Sequence, residues 1–135
     1  MAVPVRPRTY CLDSWAVLRF LEGSSPAARR VRQVIRLGRP IMSWINLGEV
    51  YYTIHRAAGA AEAESTLALL RPMLALDVVT PERVLGAARI KAVHPLAYGD
   101  AFAIATAAAH NAVLLTGDPE ITARSVGCRI EDLRK

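Results

Sequence analysis

The sequence predicts an α/β fold, a short-stranded parallel sheet of about five strands covered by helices on both faces. Three observations predict it. Apolar runs of only four or five residues recur between segments of helical length. Those segments open on capping signals, Asp13-Ser14, Ser25-Pro26, Ser43 and Thr80-Pro81. Just over half of the 135 residues are apolar, enough for one domain to bury a real core.

Taken in order, residues 9–12 read as a first strand, and Asp13 and Ser14 start a helix to about Glu22. Gly23-Ser24-Ser25-Pro26 is a turn that starts a basic helix, which Gly38 ends. Pro40–Met42 is a second strand, and Ser43 caps a helix through Glu49 to about Ala58. After Gly59, residues 60–75 form an amphipathic helix with Leu67, Leu70 and Leu74 on one face. Residues 76–79 are a third strand, and Thr80-Pro81-Glu82 opens the next helix. His94 to Gly99 is a loop, and Asp100 to about His110 an alanine-rich helix. Residues 112–115 form a strand that ends at Thr116-Gly117-Asp118. A short helix over 120–125 and a last strand over 128–130 complete the pattern.

No apolar run reaches the ~18–20 residues of a membrane span, and the N-terminus has no stretch of signal-peptide length. A cytoplasmic protein with no membrane partner is expected. Cys11 and Cys128 make no metal-spaced pair and read as small buried strand residues. The net charge is +5, and all basic residues except Lys91 and Lys135 are arginine. Arginine grips phosphate bidentately, which suits an RNA or DNA partner; a genomic preference for arginine codons would give the same count. Arg29, Arg32 and Arg36 share one helix face and are candidate RNA contacts, although such a stripe could equally meet an acidic partner or water.

Four acids stand just after apolar runs or near helix starts: Asp13, Glu49, Asp100 and Asp118. In a parallel sheet, ligands bind beyond the carboxyl ends of the strands where the strand order reverses. Asp13 and Asp118 stand at such ends, and Glu49 and Asp100 lie where they could lean over the same crevice. Alone, each acid has a duller account. Asp13 can cap a helix, Asp100 can favour a helix dipole, Asp118 before Pro119 can be a turn residue, and Glu49 can face solvent. Together, carboxylates raise one another's pKa and ask for a hard divalent cation, Mg²⁺ or Mn²⁺.

The motifs around these acids resemble a family. Asp13-Ser14, Glu49 in its Ser43-capped helix, Tyr98-Gly99-Asp100-Ala101-Phe102-Ala103-Ile104-Ala105 and Leu114-Leu115-Thr116-Gly117-Asp118 are similar to the successive motifs of PIN-domain ribonucleases. VapC-type toxins of toxin–antitoxin pairs are the nearest kind, and the resemblance runs from about Thr9 to Ile130. It implies one PIN domain over residues 1–135, an α/β/α sandwich; the first eight residues, rich in arginine and proline, depart from the family pattern and read as a flexible leader. It further implies a Mg²⁺- or Mn²⁺-dependent endoribonuclease, usually a homodimer, silenced by a small cognate antitoxin. On this resemblance Asp13, Glu49, Asp100 and Asp118 are the catalytic and metal-binding acids, and Ser14 and Thr116 are supporting hydroxyls. Glu120 is a candidate extra acid that reads better as a surface residue. A carboxylate cluster also accepts an arginine from another chain, which would displace metal, so an antitoxin with a basic residue entering the site is expected.

Other readings compete. A catalytically silent PIN-like module that binds RNA or protein is the main alternative, and a DNA nuclease or phosphatase would use the same acids. His55, His94 and His110 form no ligand pair. Trp15, Trp44, Tyr51 and Tyr52 read first as packing residues, then as a partner groove or base-stacking platform. Glycine-rich phosphate motifs are absent. A receiver domain would need an acidic pair at the first strand, where there is one aspartate.

Overall fold

The computed structural model describes residues 8–135. Its elements are β1 (Tyr10–Leu12), α1 (Ser14–Glu22), α2 (Pro26–Leu37), β2 (Ile41–Ser43), α3 (Trp44–Ala58) and α4 (Ala60–Leu70). A 3₁₀ turn (Arg71–Met73) follows, then β3 (Ala75–Asp77), α5 (Pro81–Val93), α6 (Tyr98–Ala109), β4 (Val113–Thr116), α7 (Pro119–Thr122) and β5 (Arg129–Asp132). The five strands lie in the order β3-β2-β1-β4-β5 and every pairing is parallel. The chain therefore winds outward from β1 in one direction, then returns to add β4 and β5 on the other side. That reversal opens a crevice beyond the carboxyl ends of β1 and β4.

Strand side chains alternate between two apolar layers, as the pleat requires. Leu12, Met42 and Leu115 enter one layer with Ala16, Val17, Val31 and Leu47 from α1, α2 and α3. Cys11, Ile41 and Leu114 enter the other with Ile104 of α6 and Ile121 of α7. A sheet covered on both faces is the expected α/β/α sandwich. Alanines let α6 lie close to its neighbours: Ala101, Ala103, Ala105 and Ala107 are all buried. A Cβ on Gly86 of α5 would stand 3.7 Å from that of Ala105, ordinary contact between two close helices.

The helix starts follow the capping residues. Asp13, Ser25, Ser43 and Thr80 each accept a hydrogen bond from a backbone N–H of the first turn they precede. Several boundaries differ from expectation: β2 and β4 each lie one residue later, the short α7 ends at Thr122 and not 125, and β5 runs to Asp132 and not 130. The helix expected over 60–75 stops at Leu70 and tightens into the 3₁₀ turn, because Pro72 has no N–H to donate. The third strand is Ala75–Asp77 and not 76–79: its pairing with β2 ends at Ser43 opposite Asp77, which leaves Val78 65% exposed. Helix α6 starts at Tyr98, so Asp100 is its third residue. Cys11 is buried in β1 as expected, but Cys128 is half-buried and precedes β5. The expected leader falls, Arg8 excepted, outside the described residues. Among those, no helix is long and apolar enough to cross a membrane.

Candidate active site

Leu12 of β1 is in register with Leu115 of β4, which puts the residues that follow at one level of the crevice. Asp13 leaves β1 and turns directly into α1. Its Oδ1 accepts from the Ala16 N–H at 2.8 Å, and its other oxygen accepts a short hydrogen bond from the Thr116 hydroxyl. Thr116 is fully buried, and its Oγ1 in turn accepts from the Asp118 N–H at 3.0 Å. One hydroxyl thus ties the first acid to the backbone of the last. Asp118 caps α7 through Glu120 N–H, 2.9 Å from its Oδ1.

Two helices bring the other acids. Asp100 sits half-buried in the first turn of α6, and Glu49 half-buried in the second turn of α3. Asn46, one turn before Glu49, donates from Nδ2 to Glu49 Oε1 at 2.8 Å and to the Gly99 carbonyl at 2.9 Å. The Glu49 carboxylate lies directly against Gly99, where a Cβ would overlap it. Gly117 is equally confined, since a Cβ there would overlap the Trp15 ring.

The electrostatics follow from this crowding. Burial pushes the Asp13 carboxyl up to about 7. Its bonds from Thr116 and Ala16 oppose the rise, and the charges of Asp100 and Asp118 add to it. Asp100 is also raised to about 7, first by burial and then by Asp118, Glu49 and Glu120. Oxygens of Asp100, Asp118 and Glu120 all lie within 4.8 Å of one another. An oxygen-only donor set of this kind fits a hard divalent cation, and the mutual repulsion on Asp100 is what such a cation relieves.

Asp100, Asp118 and Glu120 therefore converge, whereas Asp13 and Glu49 fall outside that group, Asp13 feeling the charges of Asp100 and Asp118 and Glu49 that of Asp100. Glu120, expected on the surface, is exposed but joins the cluster because the short α7 keeps it two residues from Asp118. Thr116 has the supporting place expected of it. Ser14 is half-buried at the start of α1 and makes no hydrogen bond to the acids among the described residues. Arg29 and Arg32 donate to the Ser24 and Gly23 carbonyls of the α1–α2 turn. Arg36 adjoins Leu37, which lines a cavity of about 360 Å³ with Thr9, Tyr10 and Pro40, at the entry end of the strands.

Among the described residues, no histidine hydrogen-bonds to Asp13, Glu49, Asp100, Asp118 or Glu120. His110 Nε2 lies 2.8 Å from Asp77, which also accepts from Arg83 Nε at 2.7 Å. Burial raises the Asp77 carboxyl, but these two partners outweigh it and hold the group below its ordinary value. His55 packs beside Tyr51, and His94 ends α5. Sequence reasoning missed Asn46 and Gly99. The signal for both was small: a polar residue at helical spacing before Glu49, and a glycine beside Asp100.

A family model described as the PIN domain matches residues 10–126. No curated protein matches the chain. Among solved structures, DNA-bound VapBC from Salmonella typhimurium is 17% identical with a TM-score of 0.75, covering 94% of this chain and 99% of that one. VapBC2 from Rickettsia felis, bound to a promoter DNA fragment, is 15% identical with a TM-score of 0.74, covering 92% and 98%. VapC20 from Mycobacterium tuberculosis, a sarcin–ricin loop cleaving toxin, is 19% identical with a TM-score of 0.67, covering 90% and 99%. At such identities the likeness is one of fold.

Proposed function

The chain belongs to the PIN-domain family, and on that premise we propose that it is a Mg²⁺- or Mn²⁺-dependent endoribonuclease, the toxin of a toxin–antitoxin pair. The observation that carries the reading is the convergence of Asp100, Asp118 and Glu120 at the carboxyl ends of β1 and β4, with Asp13 behind them. Its fold likeness to a sarcin–ricin loop cleaving toxin and to VapBC structures supports the substrate class and the partner. The excess positive charge of the chain favours a polyanionic substrate.

Asp100, Asp118 and Glu120 are the residues that would hold the cation, with Asp13 and Glu49 completing the negative field. A divalent cation supplies there Lewis-acid stabilisation of the charge that develops on a phosphodiester, and acidifies water. The chain's own groups prepare the place. Thr116 fixes Asp13 and the Asp118 backbone in one arrangement, so neither must reorganise when substrate arrives. The Asp100 carboxyl is raised to about 7, so a cation held there would displace its proton and would bind more tightly as pH rises. A small antitoxin with an arginine entering this cluster would inhibit by pairing the same oxygens. The toxin itself is proposed to be a homodimer.

The test is RNA cleavage by purified protein in Mg²⁺ and in Mn²⁺. Cleavage is expected to stop with EDTA and to fall to background in Asp100→Asn with the fold intact. Equal cleavage in EDTA overturns the metal mechanism. Sequencing RNA fragments after brief induction, against the Asp100→Asn control, identifies the RNA that is cut.

A further inference from the structure

We infer that Asn46 is a positioning residue that fixes the Glu49 carboxylate against the first turn of α6, and so sets its place relative to Asp100; this rests on the nuclease reading of the site. Asn46 is 1% exposed, and both hydrogens of its amide are engaged, one with Glu49 on its own helix and one with the Gly99 carbonyl of α6. The two acceptors settle the amide's orientation, because a reversed amide would turn Oδ1 toward two oxygens. Gly99 precedes Asp100, and the Glu49 carboxylate rests on it with no room for a Cβ. One amide therefore closes a loop from Glu49 through α6 to Asp100.

The residue is not needed to join the helices. Ile45 of α3 already packs against a buried cluster made of Ala101, Phe102 and Ala105 of α6 with Ala87 of α5. In that apolar seam Asn46 is a liability: its Oδ1 is buried with no hydrogen-bond partner among the described residues. An aliphatic residue would bury no such orphan oxygen, though it would leave the Gly99 carbonyl and Glu49 without their donor. A buried amide that weakens the seam while holding an acid in place is what a strained functional position requires. Of the two protons, the one on Glu49 matters for chemistry, since a carboxylate left free would swing on its flexible stem.

The test is a double-mutant cycle on Mn²⁺ affinity, with Asn46→Leu and Glu49→Gln made singly and together. Asn46→Leu keeps the branched skeleton, with bulkier methyl groups, and removes both bonds; Asn46→Asp keeps the shape and faces an acceptor to two acceptors. Each is expected to melt cooperatively and to bind Mn²⁺ about 10-fold more weakly than wild type, as lost supporting bonds do. The Asn46→Leu loss is expected to disappear in the Glu49→Gln background. For RNA, kcat is expected to fall by about 10–100-fold with KM unchanged. An equal loss of Mn²⁺ affinity in both backgrounds, or none in either, overturns the role of Asn46 and leaves the nuclease reading standing. Wild-type protein that binds Mn²⁺ but cuts no RNA overturns the nuclease reading, while the affinity cycle still decides on Asn46. No Mn²⁺ binding by wild type overturns both.

Discussion

Asp13 carries two duties that pull in opposite directions. Its Oδ1 caps α1, while its carboxyl is 2% exposed and raised to about 7 by burial. Above that pH the fold holds a charge that would be better solvated. Asn keeps the cap, since it ranks with Asp at N-cap positions, and removes the charge. Asp13→Asn is therefore expected to raise Tm at pH 8 in EDTA, by about 4 °C for each kcal/mol recovered. The same variant is expected to lose RNA cleavage to background. A lower Tm than wild type at pH 8 would show that burial of the charge is not the dominant cost at this position. Asp13 and Asp118 were legible as candidates because each follows an apolar strand run, and Asp100 because it stands near the start of an apolar helix. Asn46 was not, because an asparagine inside a helix is ordinary until its burial and both acceptors are known.

At the scale of elements, starts were easier to read than ends. A cap is a local bond between a side chain and the next turn, so Ser43 marked α3 at once. Ends depend on what the chain meets, as the 3₁₀ turn at Pro72 and the short β3 show. The gathering of acids also depends on close element contacts that no local pattern reports. Gly117 lies under the Trp15 ring, and Gly99 under the Glu49 carboxylate. Gly117→Ala is expected to cost about 1–3 kcal/mol, as overpacking does, with a shift in Trp15 fluorescence. Gly99→Ala is expected to reduce cleavage by at least about 10-fold with a smaller change in Tm, because the group displaced is a supporting carboxylate. A Gly99→Ala enzyme of full activity would mean that Glu49 has room to move without consequence.

The whole molecule inherits a pH dependence from the crowded acids. A carboxyl whose pKa is higher folded than unfolded binds its proton more tightly in the folded state. Its contribution to stability is complete below about 4 and is lost as pH rises through about 7. Asp13 and Asp100 both behave so. Asp77 and Asp132 are shifted down, and their contribution is lost only as pH falls below the ordinary carboxylate range. In EDTA, Tm is therefore expected to fall between pH 5.5 and pH 8, and Mg²⁺ or Mn²⁺ to restore it most at pH 8. A flat Tm across that interval in EDTA would remove the electrostatic basis of the site. The sheet order itself was not legible: alternating elements imply a parallel sheet, but the return of β4 to the far side of β1 is a tertiary choice.

That return has a consequence for how the protein is made. Asp13 and Thr116 are 103 residues apart in sequence, and Asp118 and Glu120 follow Thr116 closely. At about 5–20 residues per second, Asp13 leaves the ribosome roughly 5–20 s before the residues that complete its surroundings. Until then the chain holds isolated acids and no cluster. The cluster arises only once β4 and α7 have been made, so a chain arrested before α7 holds Asp13 and Asp100 without the acids that gather beside them.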